Sequence, residues 1–203
     1  MPKLTKRAVD AAQPGPRLAF VWDDELRGFG LRVTPAGVES YVAQYRTDSG
    51  RSRRVTIGRH GVLTVDQARK RALEILVIVA KGGDPAQERT AARRAPTVAD
   101  LLDMYIAEHV EKRNRPSTIA EVTRLVRLHV RPRLGGHKVA AVTRQDLSKL
   151  HRAMSATPRQ ANFVLAVCSK AFGLAETWGM RPEGTNPCRK IERYPESARE
   201  RFL

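Results

Sequence analysis

Cysteine is scarce in this 203-residue chain, where Cys168 and Cys188 are the only two. Two thiols cannot complete a four-ligand zinc site by themselves, and a disulfide framework needs more of them. They read as reduced, structural thiols of a cytoplasmic protein. Aromatic residues make up only 5% of the chain, so any core must be mostly aliphatic. Long apolar runs are missing as well. None exceeds six residues, the length of Ile75 to Ala80, against the roughly 18 a spanning helix needs. That stretch reads as the buried middle of a helix and excludes a membrane span. The opening stretch "MPKLTKRAVDAAQPG" has no apolar segment behind its charges, so it is not a secretory signal. Acidic residues are also few: 21 Asp and Glu stand against 37 Lys and Arg, a net charge of +16. That surplus exceeds what solubility needs and implies an anionic partner, most commonly nucleic acid.

The usual signatures of an active site are missing too. "GFG" at 28–30 lacks the rest of a dinucleotide-binding fingerprint and sits in a hairpin-like context. His60, His109, His129, His137 and His151 have no metal-ligand spacing. Asp23, Asp24 and Glu25 are adjacent, which suits a turn better than a paired acid and base. These absences predict no catalytic residue, no metal, no cofactor and no small-molecule substrate.

What is present divides in two. "GGDPAQERTAARRAPT" carries helix-stopping Gly82, Gly83 and Pro85, and its Pro96 precedes a new helix. Residues 87–96 read as a linker, although Gln87 to Arg94 also suits a helix. The expected units are 1–86 and 97–190, with a second linker over 191–203. Residues 1–90 carry +6 and residues 91–203 carry +10, so both halves suit the same polyanion.

The first half reads as three strands and a helix. "FGLRVTP", "SYVAQYR" and "RRVTIG" alternate with period two. Tyr41, Ala43, Tyr45, Val55 and Ile57 then share an apolar face with Leu31 and Val33. The opposite face carries Arg32, Thr34, Gln44, Arg46, Arg54 and Thr56. A helix from Val65 to Lys81, capped by Thr64 and Gln67, covers the apolar face. The second half reads as four helices, opened at Thr97, Pro116, Thr143 and Pro158. The fold class is therefore α+β: a small three-stranded antiparallel sheet with a packed helix, then a separate all-α four-helix bundle.

The basic residues carry the functional signal. A small sheet fits a major groove, where Arg suits guanine and Gln suits adenine. Arg32, Thr34, Gln44, Arg46, Arg54 and Thr56 are the candidate readers, and Arg51, Arg53 and Arg54 near the hairpin are candidate phosphate contacts. In the helical half Arg124, Arg127 and Arg131 form one stripe, with Arg115 and Arg133 close by. Ser117 and Thr118 begin one helix and Arg159, Gln160 and Asn162 another, with Lys170 further along. Helix starts offer backbone N–H groups to phosphates.

These pieces resemble a known family. "KLTKRAVDAA", "WDDELRGFGLRVTPAGVESYVAQYR", "GRSRRVTIGRHGVLTVDQARKRA" and "GGDP" resemble the arm-type DNA-binding domain of phage and prophage integrases. "TVADLLDMYI", "RPSTIAEVTRLVRLHVRPRLGGHKVAAVTRQDL" and "ANFVLAVCSKAFGLAETWGMRPEGTNPCRKI" resemble the SAM-like core-binding domain of tyrosine recombinases. The resemblance implies binding to double-stranded attachment-site DNA beside other integrase protomers, in a bacterial or phage-encoded cytoplasmic protein. "RERFL" at 200–203 and the preceding residue resembles the lead into a catalytic domain that supplies Arg, Lys, His-x-x-Arg and a nucleophilic Tyr. No His in this chain is followed by Arg three places on, and Tyr41, Tyr45, Tyr105 and Tyr194 are not assigned as nucleophiles. The expectation is the DNA-binding portion of an integrase, without means of cleaving DNA and with an exposed, poorly ordered tail. A short stand-alone regulator or decoy, or a nonspecific nucleic-acid binder, is the alternative.

Overall fold

The structure is a computed structural model that describes residues 3–196. It divides into two compact units between Arg93 and Arg94.

The first unit begins with a short helix, α1 (Lys6–Asp10), whose N-terminus is capped by Thr5. Strands β1 (Ala19–Trp22), β2 (Phe29–Val33), β3 (Glu39–Arg46) and β4 (Ser52–Arg59) follow. They form an antiparallel meander in chain order. Helix α2 (Val65–Ala80) starts in the expected Thr64–Gln67 capping box. Leu4 and Val9 join Phe29, Leu31, Val33, Tyr41 and Ala43 in the core, against Val65, Ala68 and Ala72 of α2.

The expected three strands are four. "AFVW" of β1 is apolar on both faces and so lacks the alternation that marks a half-exposed strand. The reason is that both faces have work to do. Val21 packs into the core, while Phe20 and Trp22 pair with Arg32 and Gly30 on the other face. A bulge also interrupts the β3–β4 ladder: Tyr41 pairs with Gly58 but Val42 pairs with Thr56. The extra residue, Ile57, still packs on the core. Where linker and helix were both open, the chain forms a helix, α3 (Pro85–Arg94).

The second unit is helical. Helix α4 spans 98–113 and helix α5 spans 116–134. Each contains one π-helical turn, Ile106–Val110 and Val126–Val130. A single 3-10 turn (Val139–Ala141) precedes α6 (Arg144–Arg152), and α7 (Pro158–Thr177) is the longest element. Helix α5 runs through Pro132 to Leu134. A proline lacks an N–H and crowds the carbonyl four residues back. Here it sits in the first turn after the π-helical segment, where the ordinary i−4 ladder is already broken. The core is Leu101, Leu102, Val122, Leu125, Val126, Leu147, Val164, Cys168 and Phe172, among others, and is mainly aliphatic as the composition requires.

Candidate nucleic-acid interface

The face of the sheet away from α2 carries Arg32, Gln44, Arg54 and Thr56, in the expected register. Gln44 pairs directly with Arg54, and Val42 with Thr56. The face is nevertheless more built than a row of separate polar side chains. Arg54 donates from Nε and Nη2 to Gln44 Oε1, at 3.1 and 2.6 Å. Its guanidinium lies 3.9 Å from the centroid of Phe20, whose ring stacks on Trp22 at 5.5 Å. Such cation–π contacts add roughly 0.5–1 kcal/mol at exposed sites. Beneath this layer Val42 is wholly buried. Trp22 lies flat because Gly30, its cross-strand partner, has no side chain: a Cβ there would meet Trp22 Cε3 at 2.6 Å. Phe20 and Trp22 were missed with β1; the signal available was their two-residue spacing in "FVW". Arg32 is half-buried on the same face, with its Nε shielded from solvent and lacking a partner among the described residues.

The remaining sheet candidates behave differently. Arg53 pairs with Tyr45, which places it on the covered face rather than among phosphate contacts. Its Nε lies 3.6 Å from Asp84 Oδ2. Alternation explains this: Arg53 and Arg54 are neighbours on a strand and so point opposite ways. Thr34 falls just beyond β2 in a turn, where its hydroxyl accepts from Val38 N at 2.9 Å. Arg46 and Arg51 are exposed at the hairpin end, and neither has an acidic partner among the described residues.

In the helical unit the stripe of Arg124, Arg127 and Arg131 is more neutralised than its sequence suggests. Arg124 makes a two-pronged pair with Glu121, at 2.8 Å on both prongs. Arg131 pairs with Asp103. Arg127, Arg133 and Arg115 are exposed, and Arg115 occupies the N-cap of α5 without a side-chain cap bond. The start of α7 is likewise uncapped by Thr157, whereas α2, α4 and α6 close theirs with capping boxes. Ser117 and Arg159 are exposed at these two starts, and Thr118 and Gln160 are half-buried. Lys170 is exposed on α7. Partial burial, and then the charges of Lys170 and Arg113, hold the His109 imidazole below its ordinary pKa. A positive field therefore surrounds that corner. Arg144 and Arg152, which the sequence reading did not single out, add charge on α6.

Asn162 is not a phosphate contact, because it is buried. Its Oδ1 accepts from Tyr194 N at 3.0 Å and faces His151 Nε2 at 3.1 Å. Its Nδ2 donates to Tyr194 O at 2.8 Å and Glu196 Oε1 at 2.7 Å. The Tyr194 ring stacks on His151, with centroids 4.4 Å apart. Ile191 and Tyr194 also pack on the helical core. The expected loose linker is thus clasped to α6 and α7 as far as Glu196; Arg199 and Arg201 lie outside the described residues.

The other tyrosines sit in structural contacts. Tyr41 OH is 2.7 Å from His60 Nδ1, and burial pushes its pKa up to about 12. Tyr45 OH donates to Asp84 Oδ1 at 2.7 Å, and Tyr105 stacks on His109. Among the described residues no helix is long and apolar enough to cross a membrane, and no cluster of three His, Cys, Asp or Glu is placed to hold a metal ion.

Comparison with known proteins meets this geometry. Residues 4–92 match the family described as an arm DNA-binding domain, and residues 97–155 match the phage integrase N-terminal SAM-like domain. The fold is similar to a lambda integrase tetramer bound to a Holliday junction, at 15% identity and a TM-score of 0.50, over 93% of this chain and 50% of that one. A lambda integrase dimer bound to a COC′ core site aligns at 15% identity and a TM-score of 0.49, over 93% of this chain and 48% of that one. The chain thus spans about half the length of these integrases. No curated protein matches it by sequence.

Proposed function

Since the chain belongs to the phage integrases of the tyrosine recombinase family, with their arm DNA-binding domain and N-terminal SAM-like domain in order, we propose that it recognises attachment-site DNA at two kinds of sequence. The first unit reads an arm-type site through the open sheet face. The second grips a core-type site through α5, the start of α7 and Lys170. The observation that carries this is the pairing of two DNA-binding domain types in one chain, each with exposed cations.

In this reading the chain supplies recognition and the geometry of the synapse, beside other protomers of the same kind. Strand cleavage and rejoining belong to a catalytic domain of the tyrosine recombinase type, outside the elements described. The setting is the cytoplasm of a bacterial host. A mobility-shift assay and footprinting on attachment-region duplexes test the proposal. Protection of two separated sequences is the expected result. Uniform binding to unrelated duplexes would favour a nonspecific nucleic-acid binder instead.

A further inference from the structure

Gln44 and Arg54 have the chemistry of two independent base readers, yet the structure makes them one. A glutamine that reads adenine needs both its acceptor and its donors. The Oε1 of Gln44 already accepts two N–H groups from Arg54. It therefore has only its amide N–H groups to offer. The effect on Arg54 is the opposite. A guanidinium has five N–H donors in a fixed plane. Its Nε edge is spent on Gln44, one face lies against Phe20, and the edge formed by Nη1 and the outer Nη2 hydrogen is left.

Everything around this group restrains it. Phe20 is backed by Trp22, which in turn lies over the bare backbone of Gly30. Arg54 itself stays exposed, and no carboxylate pairs with it among the described residues. An exposed arginine ordinarily loses considerable rotamer freedom when it binds. Here much of that ordering is made in advance by an amide on one side and a ring on the other.

The geometry points to Arg54 as a pre-aimed reader of a single guanine, with Gln44 and Phe20 as its positioning residues. The free edge presents two parallel donors, which match the O6 and N7 acceptors of guanine in the major groove. Two phosphate oxygens would also accept such a fork, so the alternative is a backbone contact without sequence information. This inference rests on the proposed reading of the sheet as a DNA-binding face.

The test uses the full chain and a random-sequence duplex pool at fixed salt. Bound duplexes are selected and sequenced, and the wild type is compared with Arg54→Lys and Gln44→Ala. Lysine keeps the charge but not the fork. The expected result is one position at which the wild type demands guanine, by about 10-fold or more. Arg54→Lys and Gln44→Ala should flatten that position and leave the others intact. Replacing that guanine by 7-deazaguanine should weaken the wild type similarly and Arg54→Lys hardly at all. If Arg54→Lys retains every preference and loses only overall affinity, Arg54 contacts phosphate and the inference is overturned. A wild type without preference at any position would overturn the site-specific reading itself, and this inference with it. Circular dichroism of both variants separates either result from unfolding.

Discussion

Asp23 shows how a residue that looks catalytic serves the fold. It accepts hydrogen bonds from Leu4 N, Glu25 N, Leu26 N and Arg69 Nη2. It thereby ties the N-terminal segment, the turn after β1 and helix α2 to one carboxylate. Burial on its own would raise its pKa, but the bonds from Arg69, Leu26 and Leu4 outweigh that and hold it below the ordinary value. A depressed carboxylate stabilises the fold above its unfolded pKa, near 3.9, and that stability is lost as pH falls through the lower folded value. Asp23→Asn should cost about 3 kcal/mol at neutral pH, since it removes the buried carboxylate that faces the largely buried Arg69 and leaves that guanidinium with the exposed Asp66 and the Leu4 carbonyl. It should also remove much of the acid-induced fall in melting temperature between pH 5 and pH 3. A variant whose melting temperature falls as steeply as that of the wild type would refute this role. His109 gives a second test. Lys170 and Arg113 repel its protonated form, and a phosphate placed beside them would reverse that field. Duplex DNA should therefore raise the His109 pKa, followed by NMR titration of its ring protons. No change on binding would remove Lys170 from the interface.

At the scale of elements, the clasp on the end of the helical unit makes the clearest prediction. The Asn162 amide stands in for a strand partner, holding both the N–H and the C=O of Tyr194. Asn162→Ala leaves buried groups without partners, at about 3 kcal/mol. The Tyr194 amide should then lose protection from hydrogen exchange, and trypsin should cut faster after Arg193. Unchanged exchange at Tyr194 would show that the segment is held by packing alone. In sequence Asn162 is simply an amide in the second turn of a helix, and no local pattern announces a partner 32 residues on. The same limit explains the other misreadings. Helices α2 and α4 to α7 were legible because periodicity and Thr caps are local signals. The polar face of β2, β3 and β4 was legible because alternation fixes it. Strand β1 was not, since its two apolar faces meet two different layers. Nor were the ion pairs of Arg131 with Asp103 and Arg53 with Asp84, because both link residues distant in sequence. Charge counted along the chain therefore overstates the cation surface left for a partner.

For the molecule as a whole, the relevant quantity is the charge that remains unpaired on two tethered units. Each phosphate neutralised releases counterions, so log K should fall by about 0.9 per contact for each tenfold rise in salt. Arg127, Arg133, Arg115, Arg159 and Lys170 of the helical unit are exposed and lack acidic partners among the described residues, and Arg46 and Arg51 extend the count in the sheet unit. Arg124 and Arg131 already satisfy Glu121 and Asp103, and displacing those acids recovers little. Arg127→Ala should therefore lower the salt slope by about one contact, while Arg124→Ala should change it much less. The tether adds a second effect. A duplex carrying both sites turns the second binding event into an intramolecular one, which raises overall affinity by about 100-fold or more if the spacing can be spanned. Titrating the intact chain against one-site and two-site duplexes of equal length, across 50 to 200 mM salt, measures both effects together. Equal affinities for the two duplexes at every spacing tried would mean that the units do not engage DNA simultaneously. A flat salt response would mean that the +16 charge of the chain is not directed at a phosphate backbone at all.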